Sequence, residues 1–160
     1  MALATLTEYL DRNNIQYELI PHTPAFSAQC IAGLAHIPGK ELAKAVMVVL
    51  DGNLAMAVLP ANLRVDLFTL KKAVNAEYAS LAAEEDFYDK FPYCETGAMP
   101  PFGNLYGIPV YVEESLTKDT EIAFNAGTHR ELMRMAWRDY ERLVSPKIMC
   151  FAAGHHVEAA

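Results

Sequence analysis

Lys44 stands at the start of the most apolar stretch of the chain, Ala45-Val46-Met47-Val48-Val49-Leu50. Burying an ammonium group is costly. It is either a strand-end lysine whose head reaches solvent or a charge held for a ligand, and on the residues alone the solvated reading outweighs the other. Lys40, beside Gly39, reads as a plain surface lysine. A second feature is Gly97-Ala98-Met99-Pro100-Pro101-Phe102-Gly103-Asn104. Its prolines stiffen the path and remove two donors, and its glycines permit close approach. Such a loop can aim main-chain N–H groups at a developing oxyanion, or it can be a rigid connector, the safer reading of composition alone. A third is Asn125-Ala126-Gly127-Thr128-His129, a glycine turn carrying polar groups. His129 could donate to a ligand or move a proton, as could His22, although a lone histidine in a turn is more often structural. There is no Gly-x-Ser-x-Gly elbow, phosphate loop or dinucleotide fingerprint. Cys30, Cys94 and Cys150 are odd in number and lack Cys-x-x-Cys spacing, which argues against a disulfide framework and a structural zinc site.

The elements that must position these residues are readable by period. Thr5-Leu6-Thr7-Glu8 has the form of a capping box, and Leu6, Tyr9 and Leu10 give helical spacing, predicting a helix over 3–13. A short strand follows at 17–20. Ser27 can cap a second helix holding Cys30, Ile31 and Leu34, closed near Pro38-Gly39. Asp51-Gly52 between apolar runs predicts a hairpin of strands 45–50 and 54–59, with Pro60 stopping the second. Helices are predicted over 65–74 and 82–90, the first with Asp66 near its start and Lys71-Lys72 near its end, as the helix dipole favours. Strands are expected at 108–113, 121–125 and 130–135, then a helix capped by Asp139 and ended by Pro146. Arg130, Arg134, Arg138 and Arg142 recur every four residues, so 130–135 could also start a basic helical stripe. Helices interleaved with hairpins give an α/β or α+β class with a mixed sheet.

The chain has 160 residues, 52% hydrophobic and 21% charged, and fits one domain with a proper core. No run of eighteen apolar residues exists, so no membrane span is expected. The amphipathic start with Glu8 and Asp11 is unlike a signal peptide, and a cytoplasmic protein is the simplest reading. A formal charge of −7 argues against broad nucleic-acid binding, which needs a basic face, but leaves room for a small site gripping one end of a nucleic acid.

Five segments occur in order: Tyr17-x-Leu19-x-x-His22; Leu42-Ala43-Lys44; Ala57-Val58-Leu59-Pro60-Ala61 with Val65-Asp66-Leu67; Gly97-x-x-Pro100-Pro101-Phe102-Gly103; and Asn125-Ala126-Gly127. Each is weak alone. As a set they make the chain resemble the YbaK/EbsC family of aminoacyl-tRNA deacylases, related to the editing domain inserted in bacterial prolyl-tRNA synthetases. The resemblance implies a single compact domain over 1–160, with a mixed, strongly curved sheet or partial barrel surrounded by helices. It implies hydrolysis of the ester joining a wrong amino acid, a small one on tRNA-Pro or a similar tRNA, to the terminal adenosine. Lys44 would be the catalytic position. Gly97, Ala98, Met99, Pro100 and Gly103 would hold the aminoacyl group through backbone, Phe102 packing beneath. Asn125, Gly127, His129 and His22 would complete the substrate site. The substrate's own ribose hydroxyl would help activate water, with no metal and no cofactor. The implied partners are the tRNA acceptor end and an aminoacyl-tRNA synthetase, with no membrane. Arg64, Lys71, Lys72, Arg130 and Arg134 would supply a basic rim. A non-catalytic module binding a tRNA end or synthetase on the same fold is the alternative. Pro100-Pro101-Phe102 is bulkier than the family's usual single proline, which bears on pocket size.

Overall fold

Asp51 and Gly52 take φ values of 50° and 85°, the left-handed pair that a two-residue hairpin turn requires. They join β2 (Ala43–Leu50) to β3 (Asn53–Pro60) in one antiparallel register that sets Lys44 opposite Leu59. Asp51 also turns its carboxylate onto the N–H groups of Glu77 and Tyr78, tying the hairpin to a later segment. This arrangement comes from a computed structural model that describes residues 2–21, 40–87, 89–91, 94–95 and 98–154. The expected helix after Ser27, His22 and Gly97 lie outside the described residues.

The hairpin is the centre of a five-stranded mixed sheet. It also contains β5 (Ala79–Leu81), β6 (Val110–Glu113) and β9 (Lys147–Met149), in the order β5-β2-β3-β6-β9. The β3–β6 and β6–β9 pairings are parallel. An antiparallel sheet holds β1 (Tyr17–Pro21), β8 (Glu131–Ala136) and β7 (Glu121–Asn125), with β8 central. A ribbon pairs β4 (Leu63–Val65) with β10 (Ala152–Gly154). The α-helices among the described residues are α1 (Ala2–Arg12), α2 (Leu67–Ala73), the short α3 (Glu84–Phe87) and α4 (Trp137–Val144).

Strand alternation distributes the sheet's side chains between two cores. Ala43 and Met47 of β2 join Leu6, Leu10, Phe102, Phe124, Met133 and Tyr140 in the larger core. Val48 and Leu50 join Leu59, Leu70 and Phe151 in the smaller one, with Val46 and Leu67 packed at its edge. The α/β class with a mixed sheet is as the sequence implies, although the described strands divide into three sheets.

Several boundaries differ for physical reasons. Val65 belongs to β4 rather than a helix, and Asp66 caps α2 by accepting from the N–H groups of Phe68 and Thr69. The helix expected over 82–90 shrinks to α3, which buries no residue and so has nothing to extend it. Asp139 is not the cap of α4. Ala136 takes that place, because the helix begins early enough to bury Trp137 and Tyr140, and Asp139 instead pairs with Arg142 at 3.6 Å. Pro60 does not stop β3 short but sits opposite Ala43 as its last residue. Arg130 lies in a turn and Arg134 in β8, beside Glu18 of β1 at 3.4 Å, so the four arginines make no helical stripe.

Two close contacts fix the frame around the loop of residues 98–103. An added Cβ on Gly103 would fall 2.6 Å from the Ile108 carbonyl oxygen and 2.7 Å from a Val110 methyl. Gly103 is thus required for close approach of backbone, and Gly103→Ala is expected to cost about 1–3 kcal/mol in urea unfolding. Buried Glu113 accepts from the N–H groups of Ser115, Phe151 and Ala152 at 3.0, 2.8 and 2.9 Å. Its loss would strand buried donors. Glu113→Ala should lose about 3 kcal/mol and lower the thermal midpoint by roughly 6–12 °C. Glu113→Gln, which keeps one acceptor oxygen, should lose less.

Candidate active site

Lys44 lies on the side of β2 opposite the larger core, since Ala43 and Met47 face that core. It is half-buried, and its Nζ donates to the Ala61 carbonyl at 3.4 Å. Desolvation pushes its pKa below the usual lysine value. Ala61 is itself fixed, because its N–H donates to the Leu42 carbonyl at 2.7 Å.

The start of β2 runs beside β7. Leu42 forms a parallel bridge with Ala123, and the Ala123 N–H donates to the Glu41 carbonyl at 2.9 Å. The same-side positions two residues on are Lys44 and Asn125. Asn125 also points away from the larger core, because Ile122, Phe124 and Ala126 belong to it. Its Oδ1 is buried and has no hydrogen-bond partner among the described residues. Buried amide oxygens are normally satisfied.

The turn after Asn125 is locked to the proline loop. Gly127 takes φ 104°, which favours glycine. Its N–H donates to the Ala98 carbonyl at 3.0 Å, and its carbonyl accepts from the Glu95 N–H at 2.8 Å. The Glu95 carboxylate accepts from the His129 N–H at 2.8 Å. His129 is buried. Residues 98–103 are buried throughout. Phe102 fills the space beneath, its ring 5.5 Å from that of Phe124 and 5.2 Å from that of Tyr140. The Tyr140 hydroxyl donates to the Pro101 carbonyl at 2.6 Å. Burying such a ring contributes about 2–3 kcal/mol, so the loop is anchored from below.

The structure thus joins Ala98 to Gly127 directly and His129 to both through Glu95, with Asn125 beside Lys44 at the strand seam. It differs from expectation in one detail. The Ala98 N–H is engaged by the Glu95 carbonyl at 3.0 Å and is not an open donor. The Met99 N–H makes no hydrogen bond to another described residue. Glu95 was not singled out by the sequence reading. Its only signal is a carboxylate two residues before Gly97, too common a pattern to notice.

A cavity lies elsewhere. An open space of about 760 Å³ is lined by Gly52, Asn53, Leu54, Tyr106 and Ile108 at the turn end of the hairpin. That is roughly 16 Å along β2 from Lys44, at about 3.3 Å per residue.

Comparison with known proteins places this arrangement. Residues 22–143 match the family described as aminoacyl-tRNA editing domain. The chain is 26% identical over 155 residues to the multifunctional Ser/Thr-tRNA deacylase ProXp-y of Escherichia coli (strain K12), covering 91% of this chain and 90% of that protein. The fold is similar to that of a putative trans-editing enzyme for prolyl tRNA synthetase, with a TM-score of 0.80 at 18% identity, covering 96% of this chain and 98% of the other. It is similar also to hypothetical protein APE2540, with a TM-score of 0.82 at 17% identity, covering 92% and 99%. The chain belongs to the aminoacyl-tRNA editing domain family and is an editing hydrolase of aminoacyl-tRNA.

Proposed function

We propose that the protein is a free-standing trans-editing deacylase whose catalytic position is Lys44. The carrying observation is the seam between β2 and β7, where desolvated Lys44 comes level with the unsatisfied Asn125 oxygen. The terminal adenosine would bind there, its ribose hydroxyls meeting the Asn125 oxygen and its phosphate or ribose meeting the Lys44 ammonium. Fixing the ester in this way supplies rate by orientation. The aminoacyl group would lie against residues 98–100. The donor there is the Met99 N–H rather than that of Ala98, with Gly97 and His22 as further contacts. Water adds to the ester carbonyl, charge develops on its oxygen next to fixed donors, and the bond to ribose breaks with a proton passing to the ribose oxygen. The substrate's own neighbouring hydroxyl assists, so no enzyme nucleophile is required. The substrate class is a small amino acid on tRNA-Pro or a similar tRNA. A hydroxylated side chain such as Ser or Thr is included, because the E. coli relative is a Ser/Thr-tRNA deacylase. A synthetase supplying the mischarged tRNA is a natural partner, and a cytoplasmic location goes with that role.

Purified protein should release amino acid from at least one of a panel of Ala-, Cys-, Ser- and Thr-charged tRNAs, and Lys44→Met should slow this by 100-fold or more. Untouched panels with retained tRNA binding would instead make the protein a binding module.

The lowered pKa of Lys44 adds a second outcome. The folded state holds this proton less tightly than the unfolded state. The resulting destabilisation is fully present below the folded pKa and is relieved as pH rises toward the unfolded value. At neutral pH Lys44→Met should therefore match or exceed the wild type in thermal midpoint while losing activity. In pH profiles corrected for spontaneous ester hydrolysis, wild-type kcat/KM should fall on the alkaline side below the ordinary lysine range. Lys44→Arg, charged throughout, should lose that fall. An unchanged alkaline limb in Lys44→Arg would remove Lys44 from the titrating role.

A further inference from the structure

The outer face of α2 has no role in the chemistry described above, yet its composition is unusual. Leu67, Leu70 and Val74 turn inward to the smaller core. Phe68 faces outward and is 60% exposed, a large apolar ring left in solvent. Two ammonium groups lie over it, Lys72 Nζ at 4.4 Å from the ring centroid and Lys71 Nζ at 5.5 Å. Exposed Arg64 precedes them on β4. Four cationic or aromatic residues thus fall within nine positions of a chain whose net charge is −7. The one carboxylate among them, Asp66, is occupied in capping α2.

The location ties this face to the candidate site. Val46, on the same side of β2 as Lys44, packs against the core that holds Leu70, as Leu67 does, so α2 covers the Lys44 side of the sheet. The segment leading into β4 and α2 begins at Ala61, whose carbonyl accepts from Lys44 Nζ.

We propose that Arg64, Phe68, Lys71 and Lys72 form the docking surface for the single-stranded 3′ end of tRNA, an inference that rests on the tRNA substrate assigned above. An exposed ring flanked by cations is the combination that binds unpaired nucleotides: bases stack on the aromatic face and phosphates meet the ammonium groups. A terminal adenosine held near Lys44 leaves the preceding nucleotides to run across α2. The surface explains how an acidic protein holds a polyanion, because only a short strand need be gripped.

The test is equilibrium binding of uncharged tRNA by fluorescence anisotropy over a range of salt concentrations. Phe68→Ala should weaken binding about 5- to 100-fold, with an unchanged thermal midpoint because the ring is exposed. That loss should disappear on tRNA trimmed of its unpaired 3′ nucleotides. Lys71→Gln and Lys72→Gln should each reduce the slope of log affinity against log salt by about 0.7. Variants that bind tRNA as the wild type does, a wild type that does not bind tRNA, or a Phe68→Ala loss that persists on trimmed tRNA would each overturn the assignment. Binding that depends on Phe68, from a wild type that releases no amino acid, would uphold this surface and overturn the hydrolase reading instead.

Discussion

The site depends on one short seam, where the start of β2 meets β7. The Ala123 N–H donates to the Glu41 carbonyl and the Ala61 N–H donates to the Leu42 carbonyl. These bonds bring together the five-stranded sheet, the three-stranded sheet and the segment leading to α2. Each contributes one part of the candidate site: Lys44 from the first, Asn125 and its glycine turn from the second, and the Ala61 carbonyl from the third. Because the seam is parallel, positions two residues beyond the bridge remain on one side. A one-residue slip in either strand would turn Lys44 or Asn125 into the larger core.

The proline loop is positioned by the same seam at one remove. Its upper edge is hydrogen-bonded to the turn that ends β7, and its lower edge rests on Phe102 and the Tyr140 hydroxyl. Backbone held on both sides cannot relax around a ligand, which is the condition for main-chain donors to stabilise a developing charge. The engaged Ala98 N–H belongs to this logic: it is used to build the loop, which leaves the next amide, that of Met99, as the proposed donor. Lys44 shows the opposite balance. It sits where desolvation works against its charge, a placement that costs stability and is characteristic of functional groups.

Much of this was legible in the sequence because it is local. The Asp51-Gly52 turn, the apolar alternation of β2 and β3, Asp66 at the front of α2 and the glycine at 127 each follow from short-range chemistry. What was not legible depends on distant partners. The strands β4, β5, β9 and β10 are three residues long and take their form from what they pair with, as β10 does through Glu113 holding the N–H groups of Phe151 and Ala152. From its own chemistry Lys44 was readable only as an anomaly; the ordered set of motifs pointed to it as a site residue, while its proposed partner Asn125, 81 positions later, could not be paired with it from sequence. The role of Glu95 as a clamp was invisible for the same reason.

An aminoacyl-adenosine end should bind at the Lys44–Asn125 seam and not in the open cavity at the turn end of the hairpin. Titration with a non-hydrolysable amide analogue of 3′-aminoacyl adenosine, followed by backbone amide NMR shifts, separates the two. Saturable shifts are expected at Lys44, Met99, Asn125 and Gly127, with Gly52, Asn53 and Tyr106 unmoved. Shifts confined to Gly52, Asn53 and Tyr106, with Lys44 and Met99 silent, would contradict binding at the seam.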